Sequence, residues 1–194
     1  MKNIIYLIIV LIAFSCKTEG NIILTTNHNL ALSIESLMNS SYLATDPGAT
    51  IIITKEENEL YAKGFGMANL ELEVPMTSEM IFRLSSLTKQ FTAVSILILE
   101  ERGKLKVKDK ISQHLIDYPT SGKIITIENL LTHTSGIPSF TSFPNSLEIE
   151  QTKLTTTEVL ALFKNKPLEF EPGERYSYNN SGYSVLGAII ESVS

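Results

Sequence analysis

Apolar residues recur at helical spacing at Leu30, Ile34, Leu37 and Met38, so residues 29–43 are predicted to form an amphipathic helix that Asp46-Pro47-Gly48 ends. Residues 49–54 and 60–65 are β-rich runs, and the polar Glu56-Glu57-Asn58-Glu59 between them predicts a hairpin. Gly64, Gly66 and Pro75 punctuate the chain after the hairpin, and residues 81–85 read as a short extended stretch. Leu87, Phe91, Val94, Leu97 and Ile98 then mark a helix, apolar on nearly every face, that stops near Gly103. A helix of that kind is expected at the centre of a core. Further on, residues 127–133 read as a short helix closed by Ser135-Gly136, and Thr155-Thr156-Thr157-Glu158 carries a capping-box signal for a helix through Lys164. A turn at Pro172-Gly173 and a loop at 176–180 lead into a last apolar helix over 182–193.

The order is one helix, two strands and a long helical stretch. Two strands do not make a stable isolated sheet, so the hairpin and first helix need a partner layer from elsewhere. The chain is therefore expected to be the N-terminal portion of a longer protein. Its 194 residues, 43% apolar and 19% charged, are enough for one globular domain. The formal net charge of -5, with no Lys/Arg cluster interleaved with aromatics, argues against a nucleic-acid surface.

The N-terminus differs in kind. Lys2 precedes an apolar run from Ile4 to Phe14, and then come Ser15 and Cys16. The run is too short to span a bilayer stably and reads as a secretory signal over residues 1–15. A small residue before the chain's only cysteine resembles a bacterial lipoprotein signal, in which Cys16 becomes the acylated first residue of the mature protein. A lone cysteine cannot form an intramolecular disulfide in an exported protein, which favours that reading over an ordinary cleaved signal or an uncleaved anchor. Residues 16–29 then read as lipidated cysteine and tether, and the domain runs over 30–194. The expected place is the cell envelope, on a membrane anchor facing the periplasm or the exterior.

The candidate chemistry begins with Ser86 and Lys89, one helical turn apart at the head of the long apolar helix. A serine hydroxyl is a poor nucleophile without a base in reach, and a lysine three residues on lies on the same face. A helix start also leaves the Ser86 N–H among the unpaired donors, where it can stabilise an oxyanion. By itself S-x-x-K is weak, because about one chance match is expected in a chain this long. Alone it reads better as a helix cap beside a solvated lysine.

Three segments together change that balance: "FRLSSLTKQFTA" at 82–93, "LLTHTSGIP" at 130–138 and "PGERYSYNNSGYSVLG" at 172–187. All three resemble the serine β-lactamase and penicillin-binding-protein superfamily, and most of all its β-lactamase-related serine hydrolases. The resemblance implies an α/β fold of the α+β type: an antiparallel sheet flanked by helices plus a helical subdomain, here stopping before the C-terminal strands. It implies Ser86 as nucleophile, with Lys89 and Tyr178 as proton-transfer partners, either of which can be the base. Tyr178-Asn179-Asn180 fits the family's Y-x-N pattern, whereas Tyr176-Ser177-Tyr178 ends in the wrong residue. Asn180 is expected to hydrogen-bond the substrate amide or to hold Lys89.

His133 is expected to brace the loop beside the site rather than to catalyse. His28 and His114 lack partners at ligand spacing, so no metal is expected, and no cofactor is implied. The family's third motif, Lys-Thr-Gly or His-x-Gly on a strand that also gives the second oxyanion donor, does not occur; Thr134-Ser135-Gly136 mimics it only locally. The reaction implied is acylation of Ser86 by an amide or ester (a β-lactam, a D-amino-acid peptide or an ester), then hydrolysis. The alternative is a catalytically silent envelope module that binds peptide or peptidoglycan. Oligomeric state has no signature in the sequence.

One expectation is open to direct test. Cells fed a clickable fatty acid should label the wild type and not Cys16→Ser; equal labelling of both, or none of either, removes the lipoprotein assignment.

Overall fold

The computed structural model describes residues 19–194, in two compact units, one ending at Arg83 and one running from Leu84 to Ser194. The expected signal sequence and Cys16 lie outside the described residues.

The first unit holds helix α1 (Glu19–Ser41) and strands β1 (Ala49–Lys55), β2 (Asn58–Phe65), β3 (Met67–Asn69) and β4 (Val74–Pro75). α1 starts at Glu19 rather than near residue 29, so part of the expected tether is helical. No proline interrupts this stretch, and extending a formed helix is far cheaper than nucleating one. β1 and β2 pair antiparallel from Ala49↔Phe65 to Lys55↔Asn58, with an irregularity between Ile53 and Thr54. The hairpin was expected, but its turn is tighter than the four polar residues suggested, and Glu56 reaches φ 56° there. The short β3–β4 pair had no sequence signal. It comes directly after Gly66, whose φ of 70° turns the chain, so that the Met67 N–H reaches the Asp46 carbonyl at 2.8 Å. Lys63 of β2 and Glu35 of α1 form an ion pair at 2.7 Å within this unit.

In the second unit a 3₁₀ turn (Ser85–Leu87) runs into α2 (Thr88–Glu101), followed by α3 (Ile127–Leu131), α4 (Ser146–Gln151), α5 (Thr156–Ala161) and α6 (Asn180–Val193). α6 is the centre. Its Val185, Leu186 and Ile189 are fully buried, against Ile96 and Leu99 of α2, Ile127 and Leu130 of α3, and Phe163. Each such side chain taken out of water contributes about 1.5–3 kcal/mol, so the helices are held mainly by what they bury on α6.

α2 departs from expectation. Ile96 and Leu99 are buried, but Phe91 is 59% exposed and Val94 and Leu97 are also exposed. The helix predicted to be buried all round packs one stripe against α6, and among the described residues its other apolar stripe is uncovered.

Local capping agrees closely with the sequence. Thr155 accepts the Glu158 N–H while Glu158 accepts the Thr155 N–H, the reciprocal pair foreseen. Thr126 and Asn129 make a second such box at α3. α5 ends at Ala161 instead of Lys164, because the Leu162 and Phe163 N–H groups bond three residues back and tighten its last turn. Between α3 and the loop, Gly136 has φ 75°, and a Cβ placed there would overlap the Phe170 carbonyl oxygen.

Gly136→Ala is accordingly expected to destabilise the second unit by about 2 kcal/mol or more, through overlap and left-handed backbone together. Chemical denaturation should show the midpoint fall; an unchanged midpoint would mean the close approach to Phe170 is not made in solution.

Candidate active site

Ser85 opens the 3₁₀ turn with φ 46°, a left-handed backbone unusual outside glycine, and sets the direction in which Ser86 leaves the turn. Ser86 is exposed. Among the described residues its backbone N–H has no hydrogen-bond partner, as the first turn of a helix dictates. Lys89 lies one turn later, half-buried, with Nζ 3.5 Å from Ser86 Oγ. The Tyr178 hydroxyl is closer, 2.6 Å from Ser86 Oγ across 92 positions of chain. Lys89 Nζ donates to Asn180 Oδ1 at 2.5 Å and sits 4.8 Å from the Tyr178 ring centre and 5.4 Å from that of Tyr183. Ser86, Lys89, Tyr178 and Asn180, all predicted from sequence, therefore meet in one cluster.

Residues outside the prediction hold them there. Asn180 Nδ2 donates to Thr141 Oγ1 at 2.8 Å, and the Asn180 N–H donates to Ser139 Oγ at 3.2 Å. With its nitrogen committed to Thr141, the amide turns its oxygen toward Lys89. Asn179 is buried and caps α6: its Oδ1 accepts the Gly182 N–H at 2.7 Å, its Nδ2 donates to the Ile137 carbonyl, and its N–H donates to His133 Nδ1 at 3.1 Å. Ser181 Oγ accepts the Phe140 N–H at 2.9 Å. An asparagine before an apolar helix is a recognisable cap signal, so Asn179 was findable. Ser139 and Thr141 lie in irregular chain and carried no signal.

The Tyr178 hydroxyl is held below its ordinary pKa, chiefly by the neighbouring Lys89 amine, then by the hydrogen bond with Ser86; partial burial opposes both. As a phenol Tyr178 donates to Ser86 Oγ; a hydroxyl whose pKa is lowered in this way can, once deprotonated, take the proton of the serine. The free Ser86 N–H can receive negative charge that develops on a carbonyl oxygen attacked by Oγ. No cluster of three or more His, Cys, Asp or Glu side chains that could hold a metal occurs among the described residues.

A serine hydroxyl between a tyrosine hydroxyl and a lysine amine, at the head of a buried-stripe helix in a chain that also carries an antiparallel hairpin, defines a β-lactamase/DD-peptidase-like domain. The chain belongs to the family described as Beta-lactamase, which it matches over residues 43–194. Among curated proteins it is 34% identical over 147 residues to penicillin-binding protein 4* of Bacillus subtilis (strain 168), covering 75% of this chain and 32% of that one. It thus spans about a third of the length of the curated relatives it matches.

Solved structures that are similar include the following two. One is the octameric penicillin-binding protein homologue from Pyrococcus abyssi, at 33% identity and TM-score 0.61, covering 88% of this chain and 39% of that one. The other is the D-amino acid amidase from Ochrobactrum anthropi SV3, at 26% identity and TM-score 0.70, covering 84% and 46%.

The site makes an electrostatic prediction. In protein labelled with ¹³C at tyrosine Cζ, the Tyr178 resonance should titrate below the ordinary tyrosine range. Lys89→Gln should move that titration up, and Ser86→Ala should move it up by less, in the order of the two causes. A Tyr178 titration indifferent to Lys89 would show that the amine does not act on the phenol.

Proposed function

We propose that the protein is a serine hydrolase that opens an amide or ester through an acyl-enzyme on Ser86. The observation that carries this reading is the 2.6 Å contact between Tyr178 and Ser86, with Lys89 bonded to Asn180 beside it. In the first step the Tyr178 phenolate takes the Ser86 proton as Oγ bonds to the substrate carbonyl carbon, and the carbonyl oxygen becomes an oxyanion facing the Ser86 N–H. As the bond to the leaving nitrogen or oxygen breaks, Tyr178 gives the proton to that atom. Water then repeats the sequence: Tyr178 removes its proton, the oxygen adds to the acyl carbon, and Ser86 leaves and regains the proton.

Tyr178 rather than Lys89 is the base in this reading, because its oxygen is nearly 1 Å nearer the serine. Lys89 stays cationic to hold the phenolate, and Asn180 holds Lys89. The named relatives, a penicillin-binding protein and a D-amino acid amidase, support D-amino-acid peptides, amides or β-lactams as the substrate class. The proposal places the protein in the cell envelope on a Cys16 lipid anchor, on the strength of the N-terminal pattern.

The test is covalent labelling of the full-length gene product with a fluorescent penicillin and a fluorophosphonate. Ser86 should be the residue modified, and Ser86→Ala should not label. Lys89→Ala and Tyr178→Phe should each slow labelling by about 100- to 10,000-fold, the usual weight of a proton-transfer partner. Ser85→Ala should matter little. A label mapped by mass spectrometry to Ser85, or to the buried Ser135 or Ser181, would overturn the assignment.

A further inference from the structure

His133 grips both neighbours of Tyr178. Its backbone carbonyl accepts the Ser177 N–H at 2.8 Å, and its ring Nδ1 accepts the Asn179 N–H at 3.1 Å. The ring itself lies against Tyr178 at 4.7 Å between centres, against Tyr183 at 5.1 Å, and edge-on to Tyr176 at 5.8 Å. The residue adopts φ 59°, a left-handed conformation that histidine and asparagine tolerate better than most side chains. That conformation lets one residue direct both its carbonyl and its ring at the segment 177–179.

We propose that His133 is the positioning residue of the base: as a neutral imidazole that accepts through Nδ1, it holds the Tyr178 hydroxyl at Ser86, and its protonation releases Tyr178. The inference rests on the hydrolase reading for its kinetic consequences, but not for its structural ones. A backbone amide can only donate, so Nδ1 must be the bare nitrogen and Nε2 the one that carries hydrogen. A proton on Nδ1 leaves two donors facing each other, which breaks the bond to Asn179.

The surroundings favour the neutral ring. Burial, first, and the Lys89 charge, second, hold His133 below the ordinary histidine range. The Asn179 N–H also occupies the Nδ1 lone pair, so this bond must be given up before Nδ1 can take a proton, and by its geometry it too favours the neutral ring. The groups that face it from the packed elements are Lys89 of α2, Tyr176 and Tyr178 of the loop, and Tyr183 of α6; no carboxylate hydrogen-bonds to it among the described residues. Tyr178 is therefore held in place above the His133 pKa and let go below it, a proton-uptake step separate from the titration of the phenol itself.

The experiment uses the full-length gene product, with ¹⁵N-histidine and ¹³C-tyrosine NMR and with rates of labelling by a fluorophosphonate. The wild-type imidazole should be the Nε2–H tautomer at neutral pH and take up its second proton below the ordinary histidine range. His133→Phe keeps a ring but has no acceptor. It should move the Tyr178 titration back up and slow labelling by about tenfold or more. His133→Asn keeps an acceptor and tolerates the backbone. It should stay within about threefold of wild type at about pH 7.5 and lose the second, histidine-dependent bend on the acid side of the pH profile.

An Nδ1–H tautomer overturns the inference, as does a Tyr178 titration unmoved in His133→Phe, or a His133→Asn profile that keeps the bend. Should His133→Phe fail to fold, the tautomer and the asparagine profile decide. A wild type that never labels removes the hydrolase reading, and the inference then stands or falls on the tautomer and on the Tyr178 titration in His133→Phe.

Discussion

Asn179 is the residue on which the geometry of the second unit turns. One buried side chain and its backbone make three hydrogen bonds in three directions: to the Gly182 N–H inside α6, to the Ile137 carbonyl, and to His133 Nδ1. The first starts a helix and the other two attach that start to the 133–137 segment. Because Tyr178 precedes this residue and Asn180 comes after it, both are delivered by the same clamp. Burial makes the clamp stiff, since each of its polar atoms would cost about 1–3 kcal/mol if left without a partner.

The reactive cluster is built on the opposite logic. Ser86 and Tyr178 are exposed, and Lys89 beside them is only half-buried. Lys89 is anchored by a neutral amide oxygen and two aromatic faces instead of a carboxylate. A carboxylate partner would neutralise the ammonium and remove its influence on the phenol; an amide fixes its position and leaves its charge available. Thr141 completes this by occupying the amide nitrogen, so that Asn180 cannot present the wrong end to Lys89 without losing a bond.

α2 serves the core and the reactive cluster at once. Ser86 stands in the 3₁₀ turn that leads into it, Lys89 lies in its first turn, and its inner stripe, Ile96 and Leu99, seats on α6, the helix that carries Asn180. Nucleophile and anchor are therefore referenced to each other through a few buried aliphatic contacts. The stripe with Phe91, Val94 and Leu97 contributes nothing to that seat and is exposed among the described residues.

By itself the sequence determined the elements whose cause is local. The hairpin, the cap at Thr155 and the presence of the apolar helices result from side-chain period and from hydrogen bonds that close within three or four residues. The identities of Ser86, Lys89, Tyr178 and Asn180 were legible too, because motif text records residue types in fixed local spacing. Several matters were decided only in three dimensions: that Tyr178 comes closer than Lys89 to Ser86, that Thr141 orients Asn180, that His133 grips the residues on either side of Tyr178, and that α6 rather than α2 is the buried centre. Each depends on contacts that bridge 39 to 92 positions of chain, or on which faces of packed helices meet. Local pattern carries no information about such contacts, since their energy exists only once the helices have closed on one another.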